Sequence, residues 1–104
     1  MQRDPALLLD ILLMARDAVG FVGEMDRNAF LDDRRTQYAV VRCLEVIGEA
    51  GKQVSQETRD RLPDVPWSLM ARTPDALIHS YAKIDPVEVY LTVQRDLPPL
   101  IVVL

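Results

Sequence analysis

The stretch from Asp4 to Met25 constrains the fold more than any other. Asp4-Pro5 is a helix-opening pair, an aspartate to cap and a proline whose fixed φ suits the first helical position. After it, Arg3, Asp10, Asp17 and Glu24 recur at seven-residue intervals and mark one narrow wet stripe. Leu7, Leu8, Ile11, Leu12, Met14, Ala15, Ala18, Val19 and Val22 flank that stripe, so most of the helix circumference must be covered. A chain of 104 residues rarely surrounds one helix on almost every side, and a second copy is expected to supply part of the cover. Asp4 and Asp10 interrupt the apolar run and no small-residue cleavage site follows, so neither a signal peptide nor a membrane span is expected.

The rest of the chain reads as further helices around this one. Asp26 to Asp33 is polar and reads as a loop. A second helix runs from about Asp33 to Val54, with Tyr38, Val40, Val41, Leu44, Ile47 and Val54 apolar and Arg35, Arg42, Glu45, Glu49 and Lys52 on the wet side. Gly48, Ala50 and Gly51 near its end permit close approach of a neighbour. Ser55 can cap a short helix over 56–62, and Pro63-Asp64-Val65-Pro66 makes a rigid connection to a central helix. Asp85-Pro86-Val87-Glu88 is a capping-box arrangement that starts another. Pro98-Pro99 ends or bends it, leaving Leu100 to Leu104 as an apolar tail whose state the pattern does not decide.

No stretch alternates long enough for a sheet, and the expectation is an all-α, up-and-down bundle of about five helices, a single domain over residues 1–104. A net charge of −4 argues against a protein that coats nucleic acid, while leaving room for a local basic groove. Cys43 is the lone cysteine, which fits a reducing cytoplasm. One histidine and one cysteine far apart make no metal site, no glycine-rich phosphate loop is present, and no cofactor is expected.

The stretch from Trp67 to Asp85 concentrates the residues able to do chemistry. Trp67, Met70, Ala71, Pro74, Leu77, Ile78 and Tyr81 form one helical stripe and Ser68, Arg72, Asp75 and His79 another. Seven residues return a helical side chain to within about 20° of its direction, about 10 Å along the axis, so Arg72 and His79 share a face. An imidazole and a guanidinium so placed suit phosphodiester cleavage without a metal. The first moves protons at a ribose 2′-hydroxyl or leaving oxygen, and the second neutralises the developing phosphorane. Asp75 can orient His79 or pair with Arg72. General acid and general base are two tasks, and a symmetric dimer would supply a second His79 and a second Arg72. The plainer alternatives stay open: His79 as a helix-end hydrogen bonder, Arg72 as a solvated charge, Trp67 and Met70 as core, Tyr81 as packing.

At these residues the chain resembles the HepT-like branch of the HEPN superfamily. The resemblance covers nearly the whole chain and rests on Ile47-Gly48-Glu49-Ala50, Val65-Pro66-Trp67, Leu77-Ile78-His79-Ser80-Tyr81 and Asp96-Leu97-Pro98. The family pattern is arginine, four to six residues, histidine, any residue and tyrosine, which Arg72, His79 and Tyr81 match with six intervening residues. In the tighter form the arginine stands five positions before the histidine, where this chain has Pro74. A proline there implies a kink, or a helix restarted with Thr73 as its cap.

The resemblance implies a homodimeric, metal-independent ribonuclease with Arg72 and His79 of both subunits lining one groove and RNA, such as tRNA or mRNA, as substrate. It further implies the toxin half of a type VII-like toxin–antitoxin pair, neutralised when a nucleotidyltransferase antitoxin transfers adenylate onto Tyr81. The alternative is a non-catalytic helical partner subunit of a minimal nucleotidyltransferase, which Pro74 favours.

Overall fold

A computed structural model describes residues 3–68, 70 and 85–104. Every regular element among them is helical: α1 (Asp4–Val22), α2 (Arg27–Leu31), α3 (Arg34–Gln53), α4 (Gln56–Arg61), α5 (Pro86–Arg95) and α6 (Leu97–Val103). The all-α expectation holds, and the elements are placed by recognisable local chemistry.

Helix α1 buries Ile11, Ala15, Ala18 and Val22 on one side, at spacings of four, three and four residues. It lies mainly against α3, whose Val40, Leu44, Ile47 and Gly51 present a matching stripe. The small residues Ala15 and Ala18 let the two axes come close. The wet stripe of Arg3, Asp10, Asp17 and Glu24 is exposed, as its periodicity predicts. Leu9, Leu13 and Phe21 are also exposed, at 53%, 44% and 47%, so these packed neighbours cover only part of the apolar circumference. The helix stops at Gly23, where φ is +54° and the N–H donates to Val19 O at 2.9 Å, short of the expected Met25.

Asp4 departs from its expected role. It is the first residue of α1 rather than its cap, and Arg3 precedes it in helical conformation with no side-chain cap. Its buried carboxylate turns to the α3–α4 junction instead, accepting from Ser55 N–H at 3.1 Å and from the hydroxyls of Ser55 and Thr58 at 2.5 Å each.

One segment read as a loop contains a helix, and the tail whose state the pattern left open forms another. Within 26–33, Asp26 accepts from Ala29 N–H at 2.8 Å and starts α2, which buries Phe30 completely. Gln37 then donates to the carbonyls of Phe30 and Leu31 at 2.8 and 3.1 Å, satisfying acceptors that a helix of five residues cannot satisfy itself. The tail forms α6, with Leu97 and Leu100 buried against the core. Pro98 and Pro99 break it from α5 yet sit in its first turn, where their missing N–H groups would have had no helical partner.

Candidate functional site

Arg72, Asp75, His79 and Tyr81, and the kink or restart expected at Pro74, lie outside the described residues. What the structure shows is the frame that holds both ends of that stretch.

The leading end is built on the C-terminus of α3. Val54 turns extended after Gln53, and Ser55 caps α4 by accepting from Thr58 N–H at 3.2 Å. From the last turn of α4, Arg59 reaches back to the last carbonyls of α3: its Nη2 donates to Gly51 O at 2.8 Å and Lys52 O at 3.0 Å, and its Nε to Val54 O at 3.1 Å. Gly51 O also accepts from Val54 N–H at 3.4 Å, and a cation there adds to that capping and complements the negative end of the helix dipole. The same guanidinium lies 5.9 Å from the ring centroid of Trp67, within cation–π range. The Trp67 Nε1–H donates to Leu62 O at 3.1 Å, so the half-buried indole is fixed on its face and at its polar edge. A helical turn opens at Trp67, with Met70 N–H donating to Pro66 O at 3.0 Å. Met70 is buried, its methyl group 3.5 Å from the place a Cβ would take on Gly51. Trp67 and Met70 therefore belong to the packing.

The trailing end is fixed by Asp85. As read from the sequence, it caps α5, accepting from Val87 N–H at 3.0 Å and Glu88 N–H at 3.4 Å. Val89 and Val93 carry α5 into the core, and Tyr90 ties it to the α1–α2 turn through a 3.0 Å bond from its hydroxyl to Met25 O. The Tyr90 ring lies 5.5 Å from that of Phe30.

Two titratable groups bear on the frame. The Ser55 hydroxyl, then the Thr58 hydroxyl, hold the Asp4 carboxyl down at about 2, against the opposing effect of burial. Burial, reinforced by Asp17, pushes the Cys43 thiol up, so this cysteine is no activated nucleophile. Among the described residues no three His, Cys, Asp or Glu side chains cluster as metal ligands would, and no helix is long and apolar enough to cross a membrane.

The pattern of helices and the Arg72–Tyr81 stretch they frame can be set beside known proteins. A family model described as "Ribonuclease HepT-like" matches residues 11–104. The chain belongs to the HepT-like ribonuclease family. Among its relatives, the "Probable ribonuclease HepT" of Thermococcus cleftensis is 39% identical over 95 residues, 88% of this chain and 86% of its own length. Methanocaldococcus jannaschii MJ1380, whose name offers it as a candidate RNase, is 39% identical over 93 residues, 89% of this chain and 85% of its own. A second protein of that organism with the same kind of name, MJ0127, is 47% identical over 76 residues, 73% of this chain and 63% of its own. No solved structure matches.

Sequence reasoning on this HepT-like chain missed Arg59. Arg59 and Arg61 both stand in the last turn of α4, and Arg61 makes the ordinary surface pair, 2.7 Å to Glu57 four residues back. Nothing in the sequence separates the two. Arg59 is distinguished by its partners, which are backbone carbonyls of the preceding helix.

Proposed function

We propose that this HepT-like protein is a metal-independent ribonuclease acting as a homodimer, with Arg72 and His79 of both subunits carrying the chemistry. The observation that carries this reading is the family match over residues 11–104, which spans the Arg72, His79 and Tyr81 positions. His79 moves the proton between the 2′-hydroxyl and the leaving oxygen, Arg72 neutralises the phosphorane, and Asp75 is the candidate to orient His79. A second copy supplies the second acid–base group, and the exposed Leu9, Leu13 and Phe21 of α1 are apolar surface that such a copy would cover.

The biological setting that fits is a toxin–antitoxin pair in the cytoplasm. A nucleotidyltransferase antitoxin would adenylylate Tyr81, placing phosphate and adenine bulk beside Arg72 and His79, where the phosphate of an RNA substrate would otherwise bind.

The test is cleavage of total tRNA by purified wild type, Arg72→Ala and His79→Ala, with and without a chelator, at matched folding. Wild type should cleave in the presence of the chelator. His79→Ala and Arg72→Ala should each lose about a hundredfold or more, as expected for removal of one electrostatic donor or the proton carrier. Pro74 in the tighter arginine position favours a second reading, a non-catalytic partner of a nucleotidyltransferase. If wild type and Arg72→Ala are equally inert while Pro74→Arg cleaves, Arg72 is a surface charge and this chain is a disabled member of the family.

A further inference from the structure

Two contacts meet at the backbone of Gly51, and a third joins one of them to the indole. Arg59 Nη2 donates to the Gly51 carbonyl at 2.8 Å, the Met70 methyl group faces the Gly51 Cα, and the indole stacked under Arg59 belongs to Trp67, three residues before Met70. Arg72 follows Met70 by two residues and Trp67 by five. Among the described residues, the guanidinium bonds the carbonyls at the end of α3 and lies over the ring of Trp67, at the start of the motif stretch. On the α3 side it bonds Gly51, Lys52 and Val54, and on the other it covers the face of Trp67. We propose that Arg59 is a positioning residue for the ribonuclease site: it clamps Trp67, which stands five residues before Arg72 in the sequence, to the C-terminus of α3. This rests on the ribonuclease reading for its consequence in catalysis, but not for the clamp itself.

Two alternatives are weaker on physical grounds. An arginine that only capped α3 would have no need of an aromatic face and would be replaceable by lysine, which can reach a carbonyl as a point charge. An arginine that only covered Trp67 would have no need of three carbonyl acceptors. The planar fork does both at once, because its edges donate in plane while its face stacks, and lysine cannot reproduce that division.

Trp67 is the only tryptophan, so its fluorescence reports on the clamp directly. The experiment compares wild type, Arg59→Ala, Arg59→Lys and, as a control on the same helix, Arg61→Ala. All are studied at a temperature where circular dichroism shows each fully folded. Acrylamide quenching of Trp67 should rise about twofold or more in Arg59→Ala, rise partway in Arg59→Lys and stay at the wild-type value in Arg61→Ala. On total tRNA, kcat should fall roughly ten- to a hundredfold in Arg59→Ala, the range expected for displacing a catalytic group by about an ångström, with KM changing less than kcat. A residue that merely stabilised the fold would alter the melting temperature and leave both readouts unchanged in the folded protein.

Unchanged quenching in Arg59→Ala overturns the clamp. Raised quenching with unchanged kcat overturns the positioning role. If wild type cleaves nothing, the ribonuclease reading fails by itself. Quenching then still decides whether Arg59 holds Trp67, and the consequence for catalysis falls with the reading it rested on.

Discussion

Gly20 and Gly23 lie three residues apart at the end of α1, and alanine at the two positions should act with opposite sign. Gly20 is inside the helix, and a Cβ built on it meets nothing within 4 Å. Alanine there adds helix propensity and restricts the unfolded chain, a gain of about 0.5–1 kcal/mol. Gly23 holds φ +54° and ψ −126°, a region that L side chains rarely adopt. The nearest atom to its Cβ position is Gly20 O at 3.5 Å, ordinary contact, so the penalty is conformational rather than a collision. It should be about 1–3 kcal/mol. For a domain of this size about 1 kcal/mol moves the melting temperature by roughly 4 °C, so Gly20→Ala should rise by roughly 2–4 °C and Gly23→Ala fall by roughly 4–12 °C. Thermal unfolding followed by circular dichroism measures both. Gly20 lies within about 20° of Leu9 around the helix, so the melt should be run at two protein concentrations. A methyl group that obstructed a second copy would show a penalty that disappears on dilution. Shifts of the same sign in both variants, at both concentrations, would refute the assigned backbone geometry.

Phe30→Ala should destabilise the fold by about 3–5 kcal/mol in urea unfolding, because the ring is fully buried and packs at a tilt against that of Tyr90; a loss under about 1 kcal/mol would mean that α2 does not dock as described. Asp85→Ala should cost about 0.5–2 kcal/mol and Asp85→Asn much less, since the cap needs only an acceptor for Val87 and Glu88 N–H. Acid titration should show the Asp4 cluster. Its carboxyl is depressed from 3.8 to about 2 on folding, so its stabilisation is complete above about 3.8 and is lost as pH falls through about 2. In Asp4→Asn that part of the pH dependence should be missing, with unchanged slopes above pH 5. A variant that retained the wild-type acid limb would assign the limb to other carboxylates.

What could be read from the sequence was what is decided within a few residues. Ser55 and Asp85 cap as expected because each bond closes over two or three residues, and Asp33 caps α3 over the same short span. Asp4 looked like the same kind of cap and was misread, because the partners that claim its carboxylate stand at Ser55 and Thr58, on another helix. Helix α2 is too short to show a period, and its end is completed by Gln37 from α3. The proline pair at 98–99 marks the end of α5 as its sequence implies, and the same two residues fit the first turn of α6, which the pattern alone does not show.

The same division runs through the candidate site. Arg72 and His79 could be singled out as candidates because phosphodiester chemistry calls for particular side chains, and Tyr81 through the family pattern; side chains are what a sequence records. Arg59 could not, since its partners are the carbonyls of Gly51, Lys52 and Val54, and every residue has a carbonyl. A group recruited to the open end of a helix becomes visible only when two helix ends are placed side by side. For α1 the argument runs the other way. Its apolar residues reach round more of the helix than the packed stripe of Ile11, Ala15, Ala18 and Val22 accounts for, and Leu9, Leu13 and Phe21 stay exposed. Leu9 and Leu13 align one turn apart on the opposite side, and Phe21 stands roughly 100° round the helix from them. That alignment is what the proposed second copy would have to match.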